Sequence, residues 1–333
     1  MGNSPTDHIL TRRTLVTTAA GSALALATHP ASAQRCPSAP PARAKGPLVW
    51  QDMDQQELDE AYDQSVYAFN SQTVSERSIA ADTAARGRLG APLVAAYGTL
   101  QIERVLVDRT NRANAPILMF FHGGAWFEGV ARYAGIAEVA VKAGAHFADV
   151  DFNSVNDTGG DLFTLADQCR RAVAFAYRNA ASFGGDPNRL YLVGFSSGAH
   201  LAACVLATDW TREGLPTDIV KGALLGSGMY DLKAVRLSNR SSYVKFTDEM
   251  EEALSPQRHL DLLRTPITLT YGTLDTPEFQ RQSRQFALAL QVAGKPTRVV
   301  VGPGYNHFEM LETLRNPYGI MGRAALEMMN LAV

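Results

Sequence analysis

The stretch that most constrains this chain is Arg189–Thr208, RLYLVGFSSGAHLAACVLAT. Leu190, Leu192 and Val193, with Tyr191 among them, form a short apolar run suited to a strand buried on both faces. HLAACVL, from His200 to Leu206, favours helix. Between them, Gly194-Phe195-Ser196-Ser197-Gly198 matches G-x-S-x-G. In such a turn the middle residue is strained, and glycines at both flanks let the backbone pass without a Cβ clash. Ser196 is thereby presented at a helix N-terminus, where the dipole favours developing negative charge.

A serine hydroxyl is a poor nucleophile near neutral pH. It needs a base within reach and a third group to orient that base. Of the seven histidines, His307 follows the last expected strand through the loose turn Gly302-Pro303-Gly304-Tyr305-Asn306 and is free to reach back over a sheet. His200 lies one turn along the helix of Ser196 and is expected to pack locally. Tyr271-Gly272-Thr273-Leu274-Asp275 ends a strand, which makes Asp275 the orienting acid. Glu278 is the alternative, one helical turn later, and Asp231 a weaker one. The order Ser196, Asp275, His307 is that of an α/β-hydrolase. His122-Gly123-Gly124-Ala125-Trp126 also follows an apolar strand, PILMFF. Its glycines allow amide groups to turn toward a ligand, so Gly123, Gly124 and the Ser197 amide are the expected oxyanion donors. Trp126, Tyr230 and Phe308 are expected to line the substrate pocket.

Taken in order, the chain alternates strands with helices of ten or more residues. That demands a mainly parallel sheet with helices on both faces, eight strands in all. Helices are expected over residues 55–72 and 74–89, an edge strand over 99–107, further strands near 116–121, 146–152, 220–225, 267–271 and 297–301, and a closing helix within 311–332. The helices of 55–89 and the irregular insert 228–263 are expected to form a small cap on a domain spanning 49–333. Residues 34–48, rich in proline and alanine, read as a flexible linker. Residues 1–33 read as an export signal: the twin-arginine pair Arg12-Arg13, a short apolar run, and Ala31-Ser32-Ala33 as a cleavage site. The run is too short to span a membrane. A periplasmic or secreted protein handled by the twin-arginine machinery is the expectation. A formal net charge of −2 gives no reason to invoke nucleic acid. Three cysteines offer no disulfide framework, and no metal-ligand spacing occurs.

On these residues the chain resembles the hormone-sensitive-lipase-like and kynurenine-formamidase-like α/β-hydrolases. The resemblance is carried by HGGAW (122–126), NAASFGGDPNRLYLVGFSSGAHLAA (179–203), GSGMYDL (226–232), ALSP (253–256), YGTLDTPEFQRQS (271–283) and GYNHF (304–308), and covers roughly 55–325. GSGMYDL, ALSP and the helix around Leu58–Ala68 look most like the formamidase branch. Carried over, it implies Ser196 as nucleophile, Asp275 as orienter and His307 as base, with no cofactor. The implied substrate is a small, aromatic carboxylic ester or aryl amide, or an N-formyl amide of the kynurenine formamidase type. The chain departs from many relatives at DFNSVNDTGGD (151–161), where a Y-R-L-A-P-type segment is common. A non-catalytic binding protein on this fold is the alternative of another class; such a protein usually lacks a triad member.

Overall fold

The apolar segment Ala115–Phe121 is buried along its whole length, and its alternation shows why. Ile117, Met119 and Phe121 enter one hydrophobic cluster, Leu118 and Phe120 another. A strand that feeds two cores must be covered on both faces. In the computed structural model, which describes residues 43–127 and 132–332, this strand lies inside an eight-stranded sheet. Residues from Lys45 onward form one compact unit.

The elements begin with a two-stranded ribbon, β1 (Leu48–Trp50) and β2 (Met53–Asp54), then α1 (Gln55–Ala61), α2 (Gln64–Tyr67) and α3 (Ser71–Leu89). The sheet opens with β3 (Leu93–Ala96), β4 (Arg104–Asp108) and β5 (Ala115–Phe121). Then come α4 (Ala134–Ala143), β6 (His146–Val150), α5 (Leu162–Asn179), β7 (Gly185–Phe195), α6 (Ser197–Leu206) and β8 (Val220–Gly226). The insert holds α7 (Leu232–Leu237) and α8 (Asp248–Ala253). The chain closes with β9 (Ile267–Gly272), α9 (Pro277–Val292), β10 (Thr297–Gly302), α10 (His307–Glu312) and α11 (Ile320–Met328). Spatial order is β10-β9-β8-β7-β5-β6-β4-β3. The first six of these run parallel, while β4 pairs antiparallel with both β6 and β3.

The eight-stranded, mainly parallel architecture is as expected, and so is the β10 edge; the opposite edge is not. Residues 99–107 do not form an edge strand. Glu103, buried and bonded to Arg171, accepts the Leu100 amide at 3.0 Å. That folds 99–103 into a turn and delays the strand to Arg104. The edge belongs to Leu93–Ala96, a strand the sequence reading did not find. The helix expected over 55–72 breaks into α1 and α2, because Asp63 caps a new start by accepting the Ser65 amide at 2.9 Å. The closing helix, Ile320–Met328, lies within 311–332 as expected. The expected signal at 1–33 and most of the linker lie outside the described residues. No described helix is long and apolar enough to cross a membrane.

Candidate active site

Parallel α/β sheets bring loops together at their carboxyl edge, and four such loops, after β5, β7, β9 and β10, meet here. At the end of β7, Ser196 has φ 56° and ψ −124°, a left-handed conformation costly for any residue with a Cβ. Its amide donates to the Gly226 carbonyl at 2.8 Å, so the neighbouring strand holds the turn in place. Gly198 is obligatory, since a Cβ there would run into the carbonyl oxygens of Phe121 and His122. The elbow thus packs directly on the end of β5. Ser197 is the first residue of α6, where an amide has no intrahelical acceptor.

The loop after β5 runs beside it. A Cβ on Gly123 would lie 3.1 Å from both the Phe195 carbonyl oxygen and the Ser196 Cβ, so a side chain there would crowd the serine. Gly124, Ala125 and Trp126 all take positive φ. Among the described residues, no acceptor takes a hydrogen bond from the Gly123 or Gly124 amide. The loop is anchored from beneath. Ser197 Oγ accepts the Trp126 amide at 3.2 Å, and the Trp126 carbonyl accepts the Val155 amide at 2.8 Å. His122 is wholly buried, stacks on Phe152 with ring centroids 4.3 Å apart, and accepts no charge easily: burial lowers its pKa to about 4.

The remaining two loops, after β9 and β10, carry the expected acid and the expected base. Asp275 follows β9 and is buried, with one carboxylate oxygen accepting the Thr276 amide at 2.8 Å. His307 opens α10 behind the cap residue Asn306. Its Nδ1 lies 3.1 Å from each Asp275 oxygen. With a carboxylate as the only partner on that side, Nδ1 carries the proton and Nε2 is left as the ring's acceptor. Phe195 and Phe279 flank the imidazole at centroid distances of 4.8 and 5.0 Å.

Ser196, His307, Gly123 and Gly124 all line one cavity of about 400 Å³. Phe308 lines it, as expected. Trp126 and Tyr230 do not, and the expectation that they form the pocket is corrected. The anchored backbone turns the Trp126 ring down into the core, edge-on to His200 at 5.3 Å. Tyr230 is fully buried and stacks on Phe286 of α9 at 4.4 Å. In their place stand residues the sequence reading did not single out, among them Val74, Ser78, Ile79 and Asp82 of α3, and Tyr133. The helices of 55–89 therefore do border the cavity. None of the insert 228–263 lines it.

The alternative acids are occupied elsewhere. Glu278 is fully buried and takes both arms of the Arg281 guanidinium at 2.6 Å, together with the Tyr62 hydroxyl and the Trp50 indole. It fastens the N-terminal elements to α9. Asp231 caps α7 and pairs with Arg258. His200 donates from Nε2 to the Leu254 carbonyl at 2.8 Å, and burial lowers its pKa to about 4, so it is a neutral packing residue.

Comparison with known proteins agrees with this geometry. The BD-FAE family matches residues 105–290. A kynurenine formamidase of Danio rerio is 32% identical over 240 residues, covering 70% of this chain and 80% of that one. The isoprenylcysteine alpha-carbonyl methylesterase ICME of Arabidopsis thaliana is 30% identical over 224 residues, covering 60% and 52%. Among solved structures, the esterase LipW of Mycobacterium marinum superposes with a TM-score of 0.61 at 18% identity, covering 80% of this chain and 89% of that one; at that identity the likeness speaks to the fold. The strained serine turn, the glycine loop beside it and the match across the sheet place the chain in one lineage: it belongs to the BD-FAE family of α/β-hydrolases, on the arylformamidase side of the hormone-sensitive-lipase-like group.

Proposed function

We propose that this hydrolase acts through an acyl-enzyme on Ser196, with His307 as general base and Asp275 as its orienter. The carrying observation is that His307, fixed through Nδ1 by a buried Asp275, lines the same cavity as the strained Ser196. Ser196 Oγ attacks the carbonyl carbon of an ester or formyl amide and its proton passes to His307 Nε2. The oxyanion is received by the amides of Gly123, Gly124 and Ser197. Collapse breaks the C–O or C–N bond, and the leaving group takes the proton from His307. Water then repeats the cycle on the acyl-serine and releases the acid. Each oxyanion donor is worth about 3 kcal/mol in reactions of this kind.

The cavity wall favours an aromatic substrate. Phe195, Phe308, Tyr133 and Ile79 give flat or apolar surface to the cavity that holds the serine. The likeness to a kynurenine formamidase favours an N-formyl aryl amide alongside simple aryl esters. The test is kcat/KM on an aryl acetate and the matching N-formyl anilide, with Ser196→Ala as blank. Turnover of both, with loss of about 10⁵-fold in the blank, is the expected result. A blank as active as the wild type removes the proposal. Cleavage of the ester alone would make the protein a carboxylesterase. We further propose export through the twin-arginine pathway, on the strength of Arg12-Arg13 and the Ala31-Ser32-Ala33 site. Replacing both arginines by lysine should leave the protein in the cytoplasmic fraction; unchanged fractionation would refute export by that route.

A further inference from the structure

Both loops that carry the acid and the base are tied to the same short stretch, residues 61–70. On the acid side, the residue after Asp275 is Thr276, whose buried Oγ1 donates to the Ala61 carbonyl at 2.6 Å. On the base side, the residue before His307 is Asn306. Its side-chain oxygen accepts the amides of Phe308 and Glu309 at 3.1 Å each, and the Glu309 carboxylate accepts the Asn306 amide at 3.0 Å. That capping box is complete without help. Yet Asn70 joins it: Asn70 Nδ2 donates to Glu309 Oε1 at 2.8 Å, and Asn70 Oδ1 accepts from Asn306 Nδ2 at 2.7 Å.

Asn70 occupies the N-cap position of α3 but makes no side-chain bond to its own helix. Asparagine at that position ordinarily caps the first turn, worth about 1 kcal/mol. Here that interaction is forgone for a ring of three side chains around the first turn of α10. α10 has only six residues, too few to be stable by itself. The capping box shapes its first turn; the bond to α3 decides where that turn sits.

We infer that Asn70 is a positioning residue for His307, setting the approach of the imidazole to Ser196. The inference rests on the triad reading above. It assigns a second use to the N-terminal helices: the same α3 that walls the cavity also holds the base in register with it. Misplacement of a reacting group by about 1 Å can cost ~10²-fold in rate, so a tether of this kind reads out in kcat.

The experiment measures kcat and KM on an aryl acetate for the full chain and five variants. Asn70→Ala should lower kcat by roughly tenfold with KM within about twofold. Asn70→Asp should lower it further, since its carboxylate faces Glu309. In Asn70→Asp/Glu309→Gln the ring can close with reversed polarity: the new carboxylate accepts from Asn306 Nδ2 and from the glutamine amide, while the glutamine oxygen still accepts the Asn306 amide. That double variant should recover most of kcat. Arg77→Ala, which cuts the exposed pair between α3 and Glu312 at the far end of α10, controls for loosening of α3 in general and should leave kcat unchanged. The inference is overturned if Asn70→Ala keeps wild-type kcat, if the double variant is no better than Asn70→Asp, or if Arg77→Ala falls as far as Asn70→Ala. Ser196→Ala separates the two levels: activity surviving there defeats the triad reading itself, whereas an inactive Ser196→Ala with an unaffected Asn70→Ala defeats only this inference.

Discussion

The serine turn and the acid–base loops are built in opposite ways. The turn is held by the ends of the two strands on either side of its own, β5 and β8. Its geometry follows from glycines at 123 and 198 and from one bond between the Ser196 amide and Gly226. The acid–base loops are held from across the molecule. Asp275 and His307 meet over 32 residues, and their flanking residues are bonded to Ala61 and Asn70, more than two hundred positions away. On the proposed roles, the site combines a nucleophile set by the ends of neighbouring strands with a base whose position depends on contacts with the N-terminal helices.

The sharpest way to break that contrast is at the acid. Asp275→Asn keeps the volume but reverses the demand on the His307 proton: the asparagine side chain can offer N–H where a carboxylate stood. A drop of about 10⁴-fold in kcat is expected, by analogy with acids of other catalytic triads, with the thermal midpoint little changed. If kcat falls less than tenfold, the acid is not Asp275. The turn is to be probed at Gly198→Ala. The added methyl group has no space between Phe121 and His122, and backbone must move. We expect a loss above about 4 kcal/mol in denaturant unfolding, with activity lost together with the fold. A stable Gly198→Ala protein would show that the elbow yields more readily than its contacts suggest.

How much of this was legible in the sequence follows the same division. Ser196, Gly123 and Gly124 announce themselves because strain and close approach demand glycine at fixed spacing. Asp275 and His307 were found from chain order, which the fold imposes. The wall of the cavity was not found. α3 is polar over most of its length and buries only Val74 and Ala85, so it has no apolar stripe to mark the face that meets the cavity. Trp126 misled for the converse reason. An aromatic beside an oxyanion loop looks like a pocket residue, but the hydrogen bond from its amide to Ser197 Oγ, which no sequence pattern reveals, turns the ring inward. The β3 edge strand, four residues long, was too short to carry a period.

Glu278 tests the structural half of the comparison. It lies one helical turn from Asp275, yet its partners are Arg281, Tyr62 and Trp50. Glu278→Gln leaves the Arg281 charge largely buried without its partner and should cost about 3 kcal/mol, read in denaturant melts, while kcat at 25 °C stays within a few-fold. A large fall in kcat with intact stability would instead make Glu278 part of the chemistry.

The smallest effect expected is one of pH on stability, and its sign can be fixed. His200 is fully buried, and burial lowers its pKa in the folded protein to about 4. Above the ordinary histidine value near ~6.5, both folded and unfolded chains hold it neutral and it makes no difference. Between roughly 6.5 and 4 the unfolded chain takes up a proton that the folded chain refuses, so stability falls with falling pH by up to about 1.4 kcal/mol per pH unit. His122, with its pKa also lowered to about 4 by burial, adds a second term of the same sign. Asp149 acts against both over this range, because burial raises its pKa to about 8 and keeps it protonated in the fold. A difference measurement removes the opposing term. His200→Gln can keep a donor to the Leu254 carbonyl but cannot titrate. Its loss of stability between pH 7.5 and pH 5 should be smaller than that of the wild type by about 1–2 kcal/mol. Equal losses would mean that His200 is reached by a proton in the folded state, and that the packing beneath the glycine loop opens at acid pH rather than holding the imidazole neutral.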